Sequence, residues 1–310
     1  MTSSRRHHYL PQFYLRGFCR NEAFWIFDRE RGKFRVQTPM NTTVQTDYYT
    51  FKHQDGSLDP KLERLLSKVE TVAAPAIAKA DEGGSLSKEE KLFISLFAAL
   101  QKTRVPDFEK RHDELRRGIL ERLGDNVVPV TDQELRDAPS VVPREEAGPR
   151  VSAYELVQDL KKMEKDPDLA HSDFLRMIFP VAKRISEVLM KMSWMVAHCP
   201  VDTAFITTDC PFQTMPPPDY DPEGLTGYGI GTPGAVKLMP LSSMSCLLIL
   251  DEGKAFGHAV IGAEFVSEIN LNLAATCDNY LIAVEEQQAK DLVRRSGIDR
   301  RKRGPRLVIQ

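Results

Sequence analysis

The 310-residue sequence lacks the signatures by which common enzymes are read from sequence. It has no Gly-x-Ser-x-Gly elbow, no His-Glu-x-x-His pair, no Walker loop, and no kinase or deaminase set. No βαβ unit or internal repeat occurs, and no Gly-rich phosphate loop, so no nucleotide or flavin cofactor is indicated. The five cysteines are Cys19, Cys199, Cys210, Cys246 and Cys277. None forms a Cys-x-x-Cys pair, which argues against a zinc knuckle or thioredoxin-type site. Their odd count and wide spacing predict free, mostly buried thiols in a reducing compartment. Long apolar runs are also missing. The longest, LFISLFAAL at 92–100, falls far short of the roughly 20 residues needed to span a bilayer. The first residues are polar and basic, with no apolar signal region. The expected location is cytoplasmic, with no membrane partner.

The totals are those of a globular chain: 42% hydrophobic, 28% charged, formal net charge -2. That balance points to no polyanionic partner. The distribution is less even. Residues 1–20 carry Arg5, Arg6, Arg16 and Arg20 and no acid, and residues 293–306 carry six arginines and a lysine against Asp299. Both ends are basic. They are either solvated tails or a phosphate-attracting surface able to receive nucleic acid.

Strand signals come first. FWIF and KFRVQ flank a turn at Arg31-Gly32 and read as a hairpin, TDYYTF at 46–51 as a third strand, and HQDGS as a turn. From Asp59 the period becomes helical. Leu62, Leu65, Leu66, Val69, Ala73, Ala76, Ile77 and Ala80 form one stripe, with Asp59 as cap, Pro60 at the first position and a kink expected at Pro75. Glu63 and Glu70, seven apart, share a side of this helix at the edge of the stripe. Ser87 and Glu90 make a capping box for a nearly all-apolar, buried helix that ends with Gln101, Arg104 and Pro106. A third helix is predicted over 107–123. Residues 125–150, with four prolines, read as an exposed connection. Ser152 and Glu155 cap a helix to about 165, and another runs from about Ser172 to Lys191. SWMVAH and AFITTD, separated by a CPVDT turn, then AVKLMPL and SCLLIL, read as strands. VSEINLNLAAT is a late helix and YLIAV a last strand. The expected fold class is α+β, with N-terminal strands, central buried helices and C-terminal antiparallel strands with a late helix. The expected organisation is a single domain of two lobes, 1–124 and 151–310, joined by the connection 125–150.

With these elements placed, the opening His-Tyr-Leu-Pro-Gln-Phe-Tyr-Leu-Arg-Gly-Phe, from His8 to Phe18, resembles the start of a bacterial and fungal family. That family is defined only as a domain of unknown function, number four-two-three-eight. The helix with Glu63 and Glu70 and the Gln-x-x-Arg-x-Pro at Gln101, Arg104 and Pro106 are similar in position and kind. So are Trp194, FITTDCPF at 205–212, PLS at 240–242, and Asn270 or Asn272. The resemblance spans nearly the whole chain apart from 125–150. It implies no activity, but it implies that these scattered polar residues belong to one domain.

Several residues have chemistry to offer. His8, next to His7, is a candidate metal ligand or general base, and its structural alternative is a buried, hydrogen-bonded His8 beside an exposed His7. Gln12 offers donors and an acceptor. Glu63 and Glu70 could hold a hard cation or act as acid and base. Arg104, ending a very apolar helix, needs an acidic partner, Glu70 or Asp209, or else grips a substrate phosphate beside Gln101. Asp209 ends an apolar strand and suits either a site or a turn cap. Cys210 as nucleophile would need a base such as His198 or His8. His53, His112, His171, His198 and His258 lack partners at metal-ligand spacing and read as structural or exposed. Two readings follow. In the first, His8, Glu63, Glu70 and Asp209 hold Mg²⁺ or Mn²⁺ and Gln12, Gln101 and Arg104 position a phosphodiester, which describes a nuclease-like hydrolase. In the second, the chain is a non-catalytic nucleic-acid- or protein-binding module, and the same residues form a structural network.

Overall fold

The structure is a computed structural model that describes residues 5–52, 55–124, 126–137, 151–217, 220, 228–251 and 256–299. The opening segment supplies a short strand β1 (Arg6–His8) and a helical turn α1 (Gln12–Arg16), which starts directly after Pro11. The hairpin expected from FWIF and KFRVQ forms as β2 (Phe24–Asp28) and β3 (Lys33–Gln37), with Gly32 at φ +61 in the turn. The third strand does not form as one piece. It splits into β4 (Val44–Thr46) and β5 (Phe51–Lys52), with β6 (Leu58–Asp59) paired to β5. The cause is local. Thr43 and Asp47 adopt positive φ, 56° and 54°, a region a strand does not use and that Asp tolerates. The chain therefore turns on both sides of β4, and Tyr48 and Tyr49 point into the core. His53 lies outside the described residues.

The helical stripe folds as α2 (Lys61–Asp81), in which the Asp59 carboxylate accepts the Lys61 N–H at 2.9 Å. Next comes α3 (Lys88–Thr103), whose Ser87–Glu90 capping box forms as read. Ile94, Phe97, Ala98, Ala99 and Leu100 of α3 are buried against α2 and a later helix. Each large one contributes about 1.5–3 kcal/mol of burial, so α3 is an internal pillar. Pro106 opens α4 (Pro106–Leu123) instead of only ending α3, because Pro is favoured at the first helical position. Within the expected connection, α5 (Asp132–Asp137) forms; residues 138–150 lie outside the described set. Ser152 caps α6 (Ala153–Lys165) as expected. The helix placed at Ser172 begins earlier, as α7 (Pro167–Leu189), because Asp166 accepts the Leu169 N–H and Pro167 takes the first position.

Two sheets complete an α+β fold. Strands β7 (Ser193–His198), β8 (Thr207–Thr208), β9 (Gln213–Met215), β10 (Val236–Pro240), β11 (Ser245–Leu250) and β12 (Phe256–Val260) precede α8 (Ala263–Thr276), β13 (Tyr280–Ala283) and α9 (Glu286–Ser296). One sheet has the order β12-β7-β11-β10-β9, and the other β3-β2-β13-β8. SWMVAH and AFITTD thus belong to different sheets, the second shortened to β8 and paired with β13. The β10–β11 pair is antiparallel as read, whereas β12 runs parallel to β7. Because β13 pairs with β2, the late part of the chain lies against the first hairpin. Among the described residues no helix is long and apolar enough to cross a membrane.

Candidate functional site

The opening segment is held by backbone pairing. Strand β1 runs antiparallel to β4, with His7 opposite Gln45 and His8 opposite Val44. Side chains alternate along a strand, and here the inward position is His7. It is 1% exposed, its Nδ1 accepts the Tyr49 N–H at 2.9 Å, and its ring stacks on Tyr49. The alternative that buried His8 and exposed His7 is therefore reversed. His8 is half-buried, with Nε2 3.1 Å from the Met40 carbonyl oxygen. A carbonyl only accepts, so the proton sits on Nε2. Burial foremost, with the positive charges of Arg6 and Arg104, holds the His8 pKa below its ordinary value against the pull of the Met40 carbonyl and of Glu70. His8 is a neutral imidazole at neutral pH.

The same segment reaches the end of α3. The Tyr49 hydroxyl donates to the Arg104 carbonyl at 2.8 Å. Arg104 is 1% exposed, and its Nη1–H donates to Glu70 Oε1 at 2.6 Å. Of the two acidic partners the sequence offers Arg104, Glu70 and Asp209, the structure uses Glu70. The rest of the guanidinium is different: Nε and Nη2 are buried with no hydrogen-bond partner among the described residues. One turn earlier Gln101 is fully buried, and both polar atoms of its amide lack partners too. Beside them Glu63 has its carboxyl pushed up to about 7, by burial first and then by the neighbouring charge of Glu70, with Arg104 working against both. His8, Glu63, Glu70, Gln101 and Arg104 thus form one cluster. Gln12, half-buried, opens α1.

Asp209 stands apart from it. The charges acting on Glu63 are those of Glu70 and Arg104, while Asp209 sits beside Asp278. Its Oδ1 accepts the Asp278 N–H at 3.0 Å, and its Oδ2 accepts those of Asn279 and Tyr280 at 2.6 and 3.0 Å. Burial and Asp278 raise its pKa to about 7, against these three bonds. Asp209 caps the turn into β13, so it is not free to join His8, Glu63 and Glu70 around a cation. With Glu70 already serving Arg104, the four expected ligands do not form a metal centre. Among the described residues no group of three or more His, Cys, Asp or Glu is arranged to hold one.

Other motif side chains close on the backbone. Trp194 Nε1–H donates to the Leu189 carbonyl at 2.9 Å. Asn270 accepts the Ile206 N–H and donates to the Ala204 carbonyl, which fixes the approach to β8. Ser242 donates to Asp81. Cys210 is buried, and burial, with Asp107, Asp209 and Asp278 nearby, holds its thiol well above its ordinary value. A thiol so disfavoured as thiolate is a poor nucleophile. The five cysteines are free and four are buried. Among the basic ends, Arg5 pairs with Asp47, Arg20 with Glu285 and Arg294 with Asp291. The basic run from residue 300 lies outside the described residues.

Four histidines have partners that the sequence does not show, His112 among them with Nε2 3.6 Å from Asp173 Oδ2. His171 lies 2.6 Å from Glu109 and 2.9 Å from the Tyr48 carbonyl oxygen. His198 and His258 face each other at 2.9 Å across β7 and β12. The separations in sequence, 62 and 60 residues, leave no local signal. No curated protein and no solved structure matches the chain. One family model does, over residues 6–287, and its description is "Protein of unknown function (DUF4238)". It covers every element from β1 to the start of α9, the polar cluster around Arg104 and the Asp209 turn included, and the chain belongs to the DUF4238 family.

Proposed function

We propose that the chain recognises a compact oxyanion, a phosphate or a carboxylate, through Arg104 and Gln101. The observation that supports this is the guanidinium edge. Glu70 uses Nη1, while Nε and Nη2 remain buried without partners. An unsatisfied buried donor costs about 1–3 kcal/mol, and more when charged. The Nε–H and Nη2–H bonds are parallel and match two oxygens of one phosphate or carboxylate. Gln101 adds a donor and an acceptor one turn away. Glu63 and the neutral His8 border the group without adding fixed positive charge. In this reading the protein is a binding module.

A second reading, hydrolysis of a phosphodiester such as nucleic acid, draws on Glu63. A carboxyl pushed up to about 7 suits general acid–base work near neutral pH, which a pure binder does not need. Mg²⁺ or Mn²⁺ would then have to act with His8 and Glu63, since Asp209 and Glu70 are committed elsewhere.

The test is calorimetric titration of the full chain with inorganic phosphate, adenosine monophosphate and acetate, with Arg104→Lys alongside. Single- and double-stranded DNA and RNA are incubated in parallel with Mg²⁺, Mn²⁺ or EDTA. The expected result is saturable binding of at least one anion, lost in Arg104→Lys, with no cleavage. Lysine keeps the charge and lacks the planar fork. Metal-dependent cleavage lost in Glu63→Gln would establish the hydrolase instead. Wild-type protein that neither binds nor cleaves overturns both.

A further inference from the structure

Tyr9, next in the chain after His8, opens onto a different part of the surface. A cleft of about 280 Å³ lies between residues 42–45, the first turns of α4 and the Asp278–Tyr280 turn. We propose that this cleft binds a small neutral ligand rich in hydroxyl groups, of monosaccharide size.

Size and charge set the class. The volume lies just below the roughly 300 Å³ at which drug-sized pockets begin. The two cations that line it are already matched: Lys110 pairs with Asp278, and Arg35 with Asp28. With Glu30 also on the wall, no excess positive charge is available to collect a phosphate. The lining is instead rich in hydroxyls and amides, from Tyr9, Thr42, Thr43, Asn41, Gln45 and Asn279. Such groups both donate and accept, as neighbouring hydroxyls on a sugar ring do.

Two polar groups are poised for a ligand. Tyr9 is 5% exposed, and its hydroxyl makes no hydrogen bond among the described residues. Arg35 has a buried Nε without a partner among the described residues. The wall opposite is rigid. Asp209 ties down the N–H groups of residues 278–280, and Arg29 Nη1 donates to the Cys277 and Asp278 carbonyls. A preorganised wall lowers the ordering cost of binding. This gives Asp209, itself on the lining, a positioning role: it shapes the cleft by holding that wall in place.

The test is saturation-transfer NMR and calorimetry on the full chain with D-glucose, N-acetyl-D-glucosamine and D-ribose. Inorganic phosphate is the anionic control, and Tyr9→Phe, Lys110→Met and Gln101→Met run alongside. The expected result is saturable millimolar binding of at least one sugar, unchanged in Gln101→Met. Tyr9→Phe weakens it about fivefold, as for one lost hydrogen bond, without lowering the melting temperature, since that hydroxyl has no partner to lose. Lys110→Met weakens it as well. Absence of sugar binding, sugar binding indifferent to both Tyr9→Phe and Lys110→Met, or phosphate binding that Tyr9→Phe abolishes would each overturn the proposal. None of these outcomes bears on Arg104, whose anion site is read out separately by Gln101→Met and Arg104→Lys.

Discussion

Arg104 and Glu70 meet through one guanidinium nitrogen, Nη1 to Oε1 at 2.6 Å, with the arginine 1% and the glutamate side chain 26% exposed. Removing the acid leaves a buried cation with no partner. Glu70→Ala is expected to destabilise the fold by about 2–4 kcal/mol, at or below the usual range for breaking a buried pair because Glu70 is partly hydrated. Glu70→Gln keeps an acceptor oxygen and costs less. Urea denaturation of the two variants at one pH checks the order. Equal stability of Glu70→Ala and wild type would show that water serves Arg104 as well as Glu70 does.

Asp209 holds three backbone N–H groups with two oxygens. Asp209→Ala is expected to cost about 2–4 kcal/mol, because at about 1–3 kcal/mol per orphaned buried donor some donors relax toward the cleft. Asp209→Asn retains one acceptor and falls between. Thermal melts in EDTA and in Mg²⁺ provide the check. An identical loss in both media is expected of a turn cap, and a loss seen only in Mg²⁺ is expected of a metal ligand.

Glu63 makes stability depend on pH. Its ordinary value of 4.5 rises to about 7 in the folded state, so folding favours its protonated form. That contribution is complete below about pH 4.5 and disappears as pH rises through about 7. Wild type should therefore lose stability over this window relative to Glu63→Gln, which cannot titrate. Urea midpoints of both proteins at about pH 5 and about pH 8 measure it. Parallel behaviour of the two would remove Glu63 as a titrating group.

His171 acts in a higher window. Both its ring nitrogens face acceptors, the Glu109 carboxylate and the Tyr48 carbonyl, so both carry protons. Burial alone would lower its pKa. The Glu109 bond and charge, the Tyr48 carbonyl and Asp168 outweigh burial and raise it above 6.5. Arg116 acts on Glu109, and Lys52 pairs with Asp168. The stabilisation is complete below pH 6.5 and is lost as pH rises through the raised value. An NMR titration of the His171 ring is expected to give a midpoint above that of a free histidine. A midpoint below 6.5 would contradict the imidazolium.

The helices were the most legible part of the fold. The stripe of α2, apart from the exposed Leu65, and the capping boxes at Ser87 and Ser152 act within a few residues and appear where the sequence puts them. The first hairpin was legible for the same reason. Long-range pairing was not: the parallel β12–β7 contact and the β2–β13 pairing leave no trace in local pattern. Helix α9 and the strand break at Thr43 and Asp47 also went unread, the latter because its cause is two backbone angles. At the site, the need of Arg104 for an acidic partner followed from the cost of a buried charge, but the choice of Glu70 over Asp209 did not. Asp209 did not separate from the other acids until the turn at 278–280 was in place, since its partners are backbone N–H groups that no residue type advertises.

If the unpartnered atoms of Arg104 and Gln101 are kept for a ligand, Gln101→Met is the substitution that shows it. The substitution preserves length and removes two orphaned buried polar atoms. The measurement is the denaturation midpoint of wild type and variant, each without anion and with saturating inorganic phosphate or acetate. The variant is expected to be more stable than wild type without anion, by about 1–2 kcal/mol, and stabilisation by at least one anion is expected in wild type and much reduced in the variant. A variant less stable than wild type in every condition, with neither anion stabilising either protein, would make Gln101 part of the scaffold and leave Arg104 without an anion site.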